Sequence, residues 1–309
     1  MNADDIRKVL TVRHLRLIAA LSELGLVSKV ADKLSLTQPT VSKQISELER
    51  LIEAPIVTRR RNRLLLTAIG QRLADHARQV LGQIDRAAFD ITAMASGVSG
   101  AVSIGAVSSV APIILPDAIA LLKRSAPEAS VAVLDGHFVS LFPMLEAGSI
   151  DLLIARVWHP QNLPEIEQKV LLREPVVVVA GQDHPLTRKA RLDWSVVVDW
   201  PWIMPPPNSV ARRAVDALFA EQGLTLPVNM IASLSLSLNL EILRTMPALS
   251  LFPQSLARNH MLRGDLVVLP LDTRGFLSEA RCFWRPERRA TNSTFDLFLK
   301  CLDQTRVDG

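Results

Sequence analysis

Helical spacing of apolar residues dominates the first hundred positions. In 13–24 (RHLRLIAALSEL), Leu17, Leu21 and Leu24 recur at helical intervals, and Gly25 ends the run as a left-handed C-terminal residue would. In 28–34, Val27, Val30, Ala31 and Leu34 repeat the pattern, with Ser28 as the expected N-cap. After the turn Ser35-Leu36-Thr37, a third helix is predicted over 38–52, with Thr37 as cap and Pro39 in its first turn. Val41, Ile45, Leu48 and Ile52 form its apolar stripe, while Lys43, Ser46 and Arg50 lie opposite. Residues 54–66 predict two short strands around an arginine-rich tip. From Thr67 to about Ala95, Leu73, Ala77, Val80, Ile84, Ala87, Ile91 and Met94 alternate steps of four and three, a heptad seam without a break. Such a seam predicts a partner helix like itself, hence a homodimer, and Gly97-Val98-Ser99-Gly100 reads as a hinge.

Beyond the hinge, period-two apolar runs alternate with helical ones. Strands are predicted at 101–107, 130–134, 152–155, 175–180, 228–232, 248–252 and 266–269, and helices at 112–124, 140–147, 210–222 and 235–245. That alternation predicts a parallel sheet with helices on both faces. Gly148 and Gly223 stand where helix C-termini need a left-handed residue.

Composition sharpens the picture at three points. The 309 residues are 49% hydrophobic and 21% charged, a globular balance with length for about two domains. Residues 1–66 carry 12 Lys/Arg against 7 Asp/Glu, while the remainder is nearly neutral, so the basic excess sits in the first fifth of the chain. A basic module on a neutral body points to nucleic acid as partner. The two cysteines, Cys282 and Cys301, fit a reducing compartment and no disulfide framework. No secretory pattern opens the chain and no apolar run reaches membrane-spanning length, so a cytoplasmic protein without membrane contact is expected.

Two short helices joined by a tight turn, the second polar at its N-terminal end, is the arrangement with which a helix-turn-helix enters the major groove. The DNA-facing set is then Ser28, Lys29, Gln38, Pro39, Thr40, Ser42, Lys43 and Ser46, with Arg59, Arg60, Arg61 and Arg63 of the hairpin gripping phosphates. Residues 36–49 (LTQPTVSKQISELE), Ala54-Pro55-Ile56-Val57-Thr58-Arg59 and Leu66-Thr67-Ala68-Ile69-Gly70 resemble the winged helix-turn-helix of LysR-type transcriptional regulators. The sequence departs from that pattern at Val57, where the family usually has Phe, and in the density of arginines at the wing tip. The resemblance implies a homodimer, commonly a dimer of dimers, on an interrupted operator dyad, and RNA polymerase as a further partner of an activator.

Residues 101–309 resemble the effector-binding domain of the same family, a two-subdomain α/β fold similar to periplasmic binding proteins, carried by Ala147-Gly148-Ser149-Ile150-Asp151-Leu152-Leu153-Ile154-Ala155-Arg156 and the loop from Pro205 to Arg212. The expected organisation is a DNA-binding domain at 1–66, a linker helix at 67–96, a hinge at 97–100 and an effector domain at 101–309. Within the last, subdomain I would take 101–165 and 273–309 and subdomain II 166–272, with crossings near 161–169 and 271–276. Ser108-Ser109 and Asn208-Ser209 precede helices, where free N–H groups and the positive dipole end favour an anion. Arg156 ends a strand, the usual place for ligand groups in open α/β sheets, and Arg212 is a first-turn cation the dipole does not explain. With Phe142 or Trp158 as an apolar wall, these residues suggest a small organic anion, such as a carboxylate, in the inter-subdomain cleft.

Catalytic readings find little support. Asp135 and Asp151 bracket nothing, and the six histidines have no metal-ligand spacing, so neither enzyme activity, metal nor cofactor is expected. No nucleophile elbow, P-loop or dinucleotide fingerprint occurs. A solute-binding receptor with a vestigial DNA-binding module is the alternative, disfavoured by the basic excess in 1–66.

Overall fold

The computed structural model describes residues 10–60, 63–95, 100–157, 163, 165–207, 209–273 and 275–305. They fall into two compact units: Met1–Gly97 together with Phe142–Ile150, and Val98–Leu141 together with Asp151–Gly309.

In the first unit, α1 (Val12–Leu24), α2 (Val27–Leu34) and α3 (Gln38–Ile52) are followed by a hairpin of β1 (Val57–Arg60) and β2 (Arg63–Leu66), then by α4 (Ala68–Ala95). Gly25 ends α1 in the left-handed conformation, at φ 62°. The predicted cap at Ser28 is corrected: α2 begins at Val27 after Leu26, whose side chain makes no capping bond, and Ser28 lies exposed inside the first turn. One core joins α1, α2, α3 and the first turns of α4, with Leu17, Ile18, Val30, Val41, Leu48 and Ile56 essentially sealed from solvent. Polar clamps fix the wing to it. Glu49 of α3 accepts from the backbone N–H groups of Ile56 and Val57, and the Thr67 hydroxyl donates to Pro55 O while capping Gly70.

The heptad seam of α4 divides in two. Leu73 and Ala77 belong to the core just described, whereas Val80, Ile84, Ala87 and Ile91 are exposed. The Met94 side chain, residue 96 at the end of the predicted linker helix and residues 97–99 of the predicted hinge lie outside the described residues.

The second unit is built on a sheet in the order β4-β3-β5-β11-β6-β9-β7-β8, with β10 added beside β6. Its strands are β3 (Ala101–Ala106), β4 (Ser130–Asp135), β5 (Leu152–Val157), β6 (Glu167–Ala180), β7 (Trp202–Met204), β8 (Met230–Ala232), β9 (Leu249–Pro253), β10 (Val267–Val268) and β11 (Leu277–Trp284). The expected parallel sheet is found in part, and the structure adds antiparallel pairings. Strands β3, β4 and β5 are parallel and β7 is parallel to β8 and β9, but β11 runs antiparallel to β5 and β6, and β6 antiparallel to β9.

The first crossing, expected near 161–169, falls a few residues later, at Pro175–Val176. It is β6 itself, which pairs with β11 through Pro175 and with β9 from Val176 onward. The return comes at Phe276–Leu277, where Val176 N–H donates to Phe276 O and β11 begins. Helices α5 (Ala111–Ser125), α6 (Phe138–Glu146), α7 (Trp194–Val197), α8 (Val210–Glu221), α9 (Leu236–Thr245), α10 (Gln254–Leu262), α11 (Glu287–Thr291) and α12 (Ser293–Gln304) complete the fold. Separate cores form around β3, β5, β11, α5 and α12 and around β7, β9, α7 and α8, the latter holding Trp194, Trp202 and Phe219 with ring centroids 5.3–6.5 Å apart.

Candidate DNA-binding face and effector cavity

Thr37 caps α3 by accepting from Thr40 N–H, and Ser35, at φ 54°, reverses the chain between α2 and α3. Burial of Val41, Gln44, Ile45 and Leu48 leaves Gln38, Pro39, Lys43 and Ser46 exposed and Thr40 and Ser42 half-exposed. Ser28, Lys29 and Arg63 are also exposed. Arg59 and Arg60 belong to β1, though their side chains, like all of Arg61, lie outside the described residues. The N-terminal turns of α3 therefore offer short polar groups and one ammonium, with a hairpin arginine in the same unit. That is the composition of base-edge and phosphate contacts, respectively.

The second unit holds a cavity of about 250 Å³. At liquid density this is room for roughly eight waters, the size of a one-ring or short-chain organic molecule. Its floor comes from both parts of the sheet: Arg156 and Val157 of β5, Val176 of β6, Ile203 and Met204 of β7, and Ser250 to Pro253 of β9. Five helices begin at its rim or just after a lining segment: α5 after Val107 to Ser109, α6 at Phe138, α8 after Ser209, α9 at Leu236 and α10 after Pro253. A helix N-terminus carries partial positive charge, so these starts favour negative charge nearby, although that of α10 already holds the Glu174 carboxylate on the Ser255 N–H.

Arg156 is the permanent cation among the described lining residues, and it is already paired. Its guanidinium lies 2.6 Å from the Glu174 carboxylate, with the two side chains 6% and 3% exposed. It also donates to the Ser109 carbonyl and the Ser278 hydroxyl. Burial pushes Arg156 below the usual arginine range, and Glu174 opposes that shift. Glu174 in turn accepts from the Ser255 N–H and hydroxyl at the start of α10. The pair ties β5, β6, β11 and α10 together across the point where β6 changes partners.

The other predicted site residues divide. Ser108, Ser109 and Ser209 line the cavity; the Ser108 hydroxyl donates to Asp135, and the Ser209 hydroxyl caps α8 at Arg212 N–H while donating to Pro206 O. Arg212 is not among the lining residues: it is buried against Asp216, one helical turn on, and donates to Pro205 O. Phe142 does not line the cavity, and Phe138 and Val139 take the place expected for it. Asn208 and Trp158 lie outside the described residues. Sequence reasoning passed over Asn239 of α9, which lines the cavity at 8% exposure. Its signal was a polar residue on the apolar stripe of Leu236 and Leu243.

A winged helix-turn-helix on a long helix, followed by a two-part α/β domain with a half-open cavity, defines a ligand-responsive DNA-binding regulator. The family model described as "Bacterial regulatory helix-turn-helix protein, lysR family" matches residues 12–71, and that described as "LysR substrate binding domain" matches residues 95–306. The chain belongs to the LysR family of transcriptional regulators. It is 28% identical over 264 residues to the uncharacterized HTH-type transcriptional regulator YdcI of Escherichia coli (strain K12), spanning 85% of this chain and 86% of that one. It is 28% identical over 280 residues to the HTH-type transcriptional regulator GbpR of Azospirillum brasilense, spanning 90% and 82%. Among solved structures, full-length CbnR complexed with its target DNA is similar with a TM-score of 0.63 at 20% identity, covering 96% of this chain and 99% of that one. Among the described residues, no helix is long and apolar enough to cross a membrane, and no cluster of three metal-ligating side chains occurs.

Proposed function

We propose that this regulator works without catalysis in the cytoplasm, as a homodimer or a dimer of dimers on an operator dyad, switched by a small organic effector with an apolar body and one anionic, carboxylate-like end. The DNA-facing groups are those of α3, Ser28, Lys29 and the wing arginines. The exposed apolar positions Val80, Ile84, Ala87 and Ile91 of α4 provide the seam of the dimer. Two recognition helices held about one DNA turn apart multiply affinity on a dyad.

One observation carries the effector reading: a mostly apolar cavity at whose lining α5, α6, α8 and α9 begin, with the single lining arginine and the start of α10 already occupied by Glu174. An anion there is held by backbone N–H groups, with the hydroxyls of Ser108, Ser109 and Ser209 beside it, rather than by a free cation. Arg156 has a positioning role, holding the cavity floor through Glu174. Effector binding shifts the balance between two quaternary arrangements to the extent that it favours one of them. An activator would also touch RNA polymerase. The test is fluorescence anisotropy of the full chain on its operator with and without one-ring carboxylates. A shift in the binding curve with acids, and none with the matching neutral amides, supports the reading; equal shifts with both refute it.

A further inference from the structure

We infer that Asn239 accepts a hydrogen bond from the effector, which makes the ligand class a hydroxy- or amino-substituted carboxylate rather than an unsubstituted acid. The acid end of this description rests on the reading above; the donor end does not. Asn239 stands on the stripe Leu236, Asn239, Leu243 of α9, where helical spacing calls for an apolar residue, and asparagine is a poor helix-interior residue. It lines the cavity at 8% exposure, and its Oδ1 has no hydrogen-bond partner. Four other polar lining groups are satisfied from within the protein. Ser108 is bonded to Asp135, Ser209 to Pro206 O, Ser250 to Ile203 O and Arg156 to Glu174. A buried acceptor left unpaired destabilises the free protein, and native structures keep few such groups. Oδ1 itself is sealed from solvent, so a half-turn of the amide about its last torsion presents it to the cavity, and a hydroxyl or N–H on the ligand body then removes that penalty on binding. An acid lacking the donor leaves it in place, so the site discriminates between the two.

The experiment is isothermal titration of the full chain and of Asn239→Leu with matched probes: benzoate against its hydroxy and amino isomers, phenylacetate against mandelate, and benzyl alcohol and benzamide as neutral controls. The wild type is expected to bind the substituted member of at least one pair about tenfold or more tightly than the parent acid. Asn239→Leu should lose that preference and keep its affinity for the parent. A second readout needs no ligand: the melting temperature of Asn239→Leu should rise, because an unpaired polar group gives way to an apolar one of the same branched shape, with the cavity beside it to take the extra bulk. Acids bound with no preference for a hydroxyl or amine would overturn the inference and leave the anion reading standing. Neutral probes bound through Asn239 in place of acids would overturn the anion reading and keep the hydrogen bond. A lower melting temperature for Asn239→Leu would overturn the inference whatever the titrations give, because the asparagine would then be structural.

Discussion

Replacing Glu174 with leucine tests whether the ion pair beneath the cavity is a structural clamp. Both partners are buried, and Arg156 keeps no other carboxylate in the pairs described here. The substitution leaves a guanidinium buried with only the Ser109 carbonyl and Ser278 hydroxyl, and it also strips the Ser255 N–H and hydroxyl of their acceptor. Removing one member of a buried pair costs about 3–5 kcal/mol. For a domain of this size each kcal/mol lowers the melting temperature by about 2–4 °C, so the expected fall is about 6–20 °C. All five tryptophans lie between Trp158 and Trp284, so a tryptophan-fluorescence melt reports the effector domain without interference from the DNA-binding domain. The double variant Arg156→Met with Glu174→Leu should recover more than half of the loss, because replacing a whole buried pair with apolar residues is close to neutral. A single variant melting within about 2 °C of wild type, or a double variant as unstable as the single, would refute the argument.

Lys43→Ala should weaken operator binding, with a shallower salt slope if the ammonium meets phosphate and relaxed base preference if it reads an edge; titrations on operator and mismatched duplexes at several salt concentrations distinguish the two. Ile84→Asp with Ile91→Asp should give monomers by sedimentation with the melting temperature nearly unchanged, whereas Leu73→Asp should unfold the DNA-binding domain, because Leu73 packs in its core. Gly70→Ala should destabilise that domain by about 1–3 kcal/mol, since a Cβ there would lie 2.0 Å from the Ile56 carbonyl oxygen; circular dichroism melting of the DNA-binding region measures it.

The DNA-binding unit could be read from sequence because its signals are local. Helical periodicity, the Thr37 cap and Gly25 lie within a few residues of what they specify. Periodicity marks a stripe along α4 but does not show which partner each position meets, and Leu73 and Ala77 join the intrachain core.

In the effector domain, β11 escaped notice because its inward face is Ser278, Ala280, Cys282 and Trp284, three of them too small to mark an apolar alternation. β7 is three residues between prolines. Pro175 sits inside β6 and looked like a strand start, yet it marks the place where the strand changes neighbours.

The site followed the same rule. Arg212 and Asp216, four residues apart, form a pair that spacing alone suggests. Arg156 and Glu174 meet only through the β5-β11-β6 arrangement, and a lone strand-end arginine looked like a free ligand for an anion. Asn239 was readable as a polar break in a leucine stripe, but its unpaired oxygen appears only in three dimensions.

The central claim is that this chain reads specific DNA through α3 and its wing. Fluorescence anisotropy with a duplex from upstream of the protein's own gene, beside a scrambled duplex of equal length, tests it directly across a range of salt concentrations. The account predicts tight binding to the first duplex and affinity that falls steeply and log-linearly with salt, as release of counterions from several phosphates requires. It also predicts at least a thousandfold preference over the scrambled duplex. Equal, weak binding to both duplexes would contradict it.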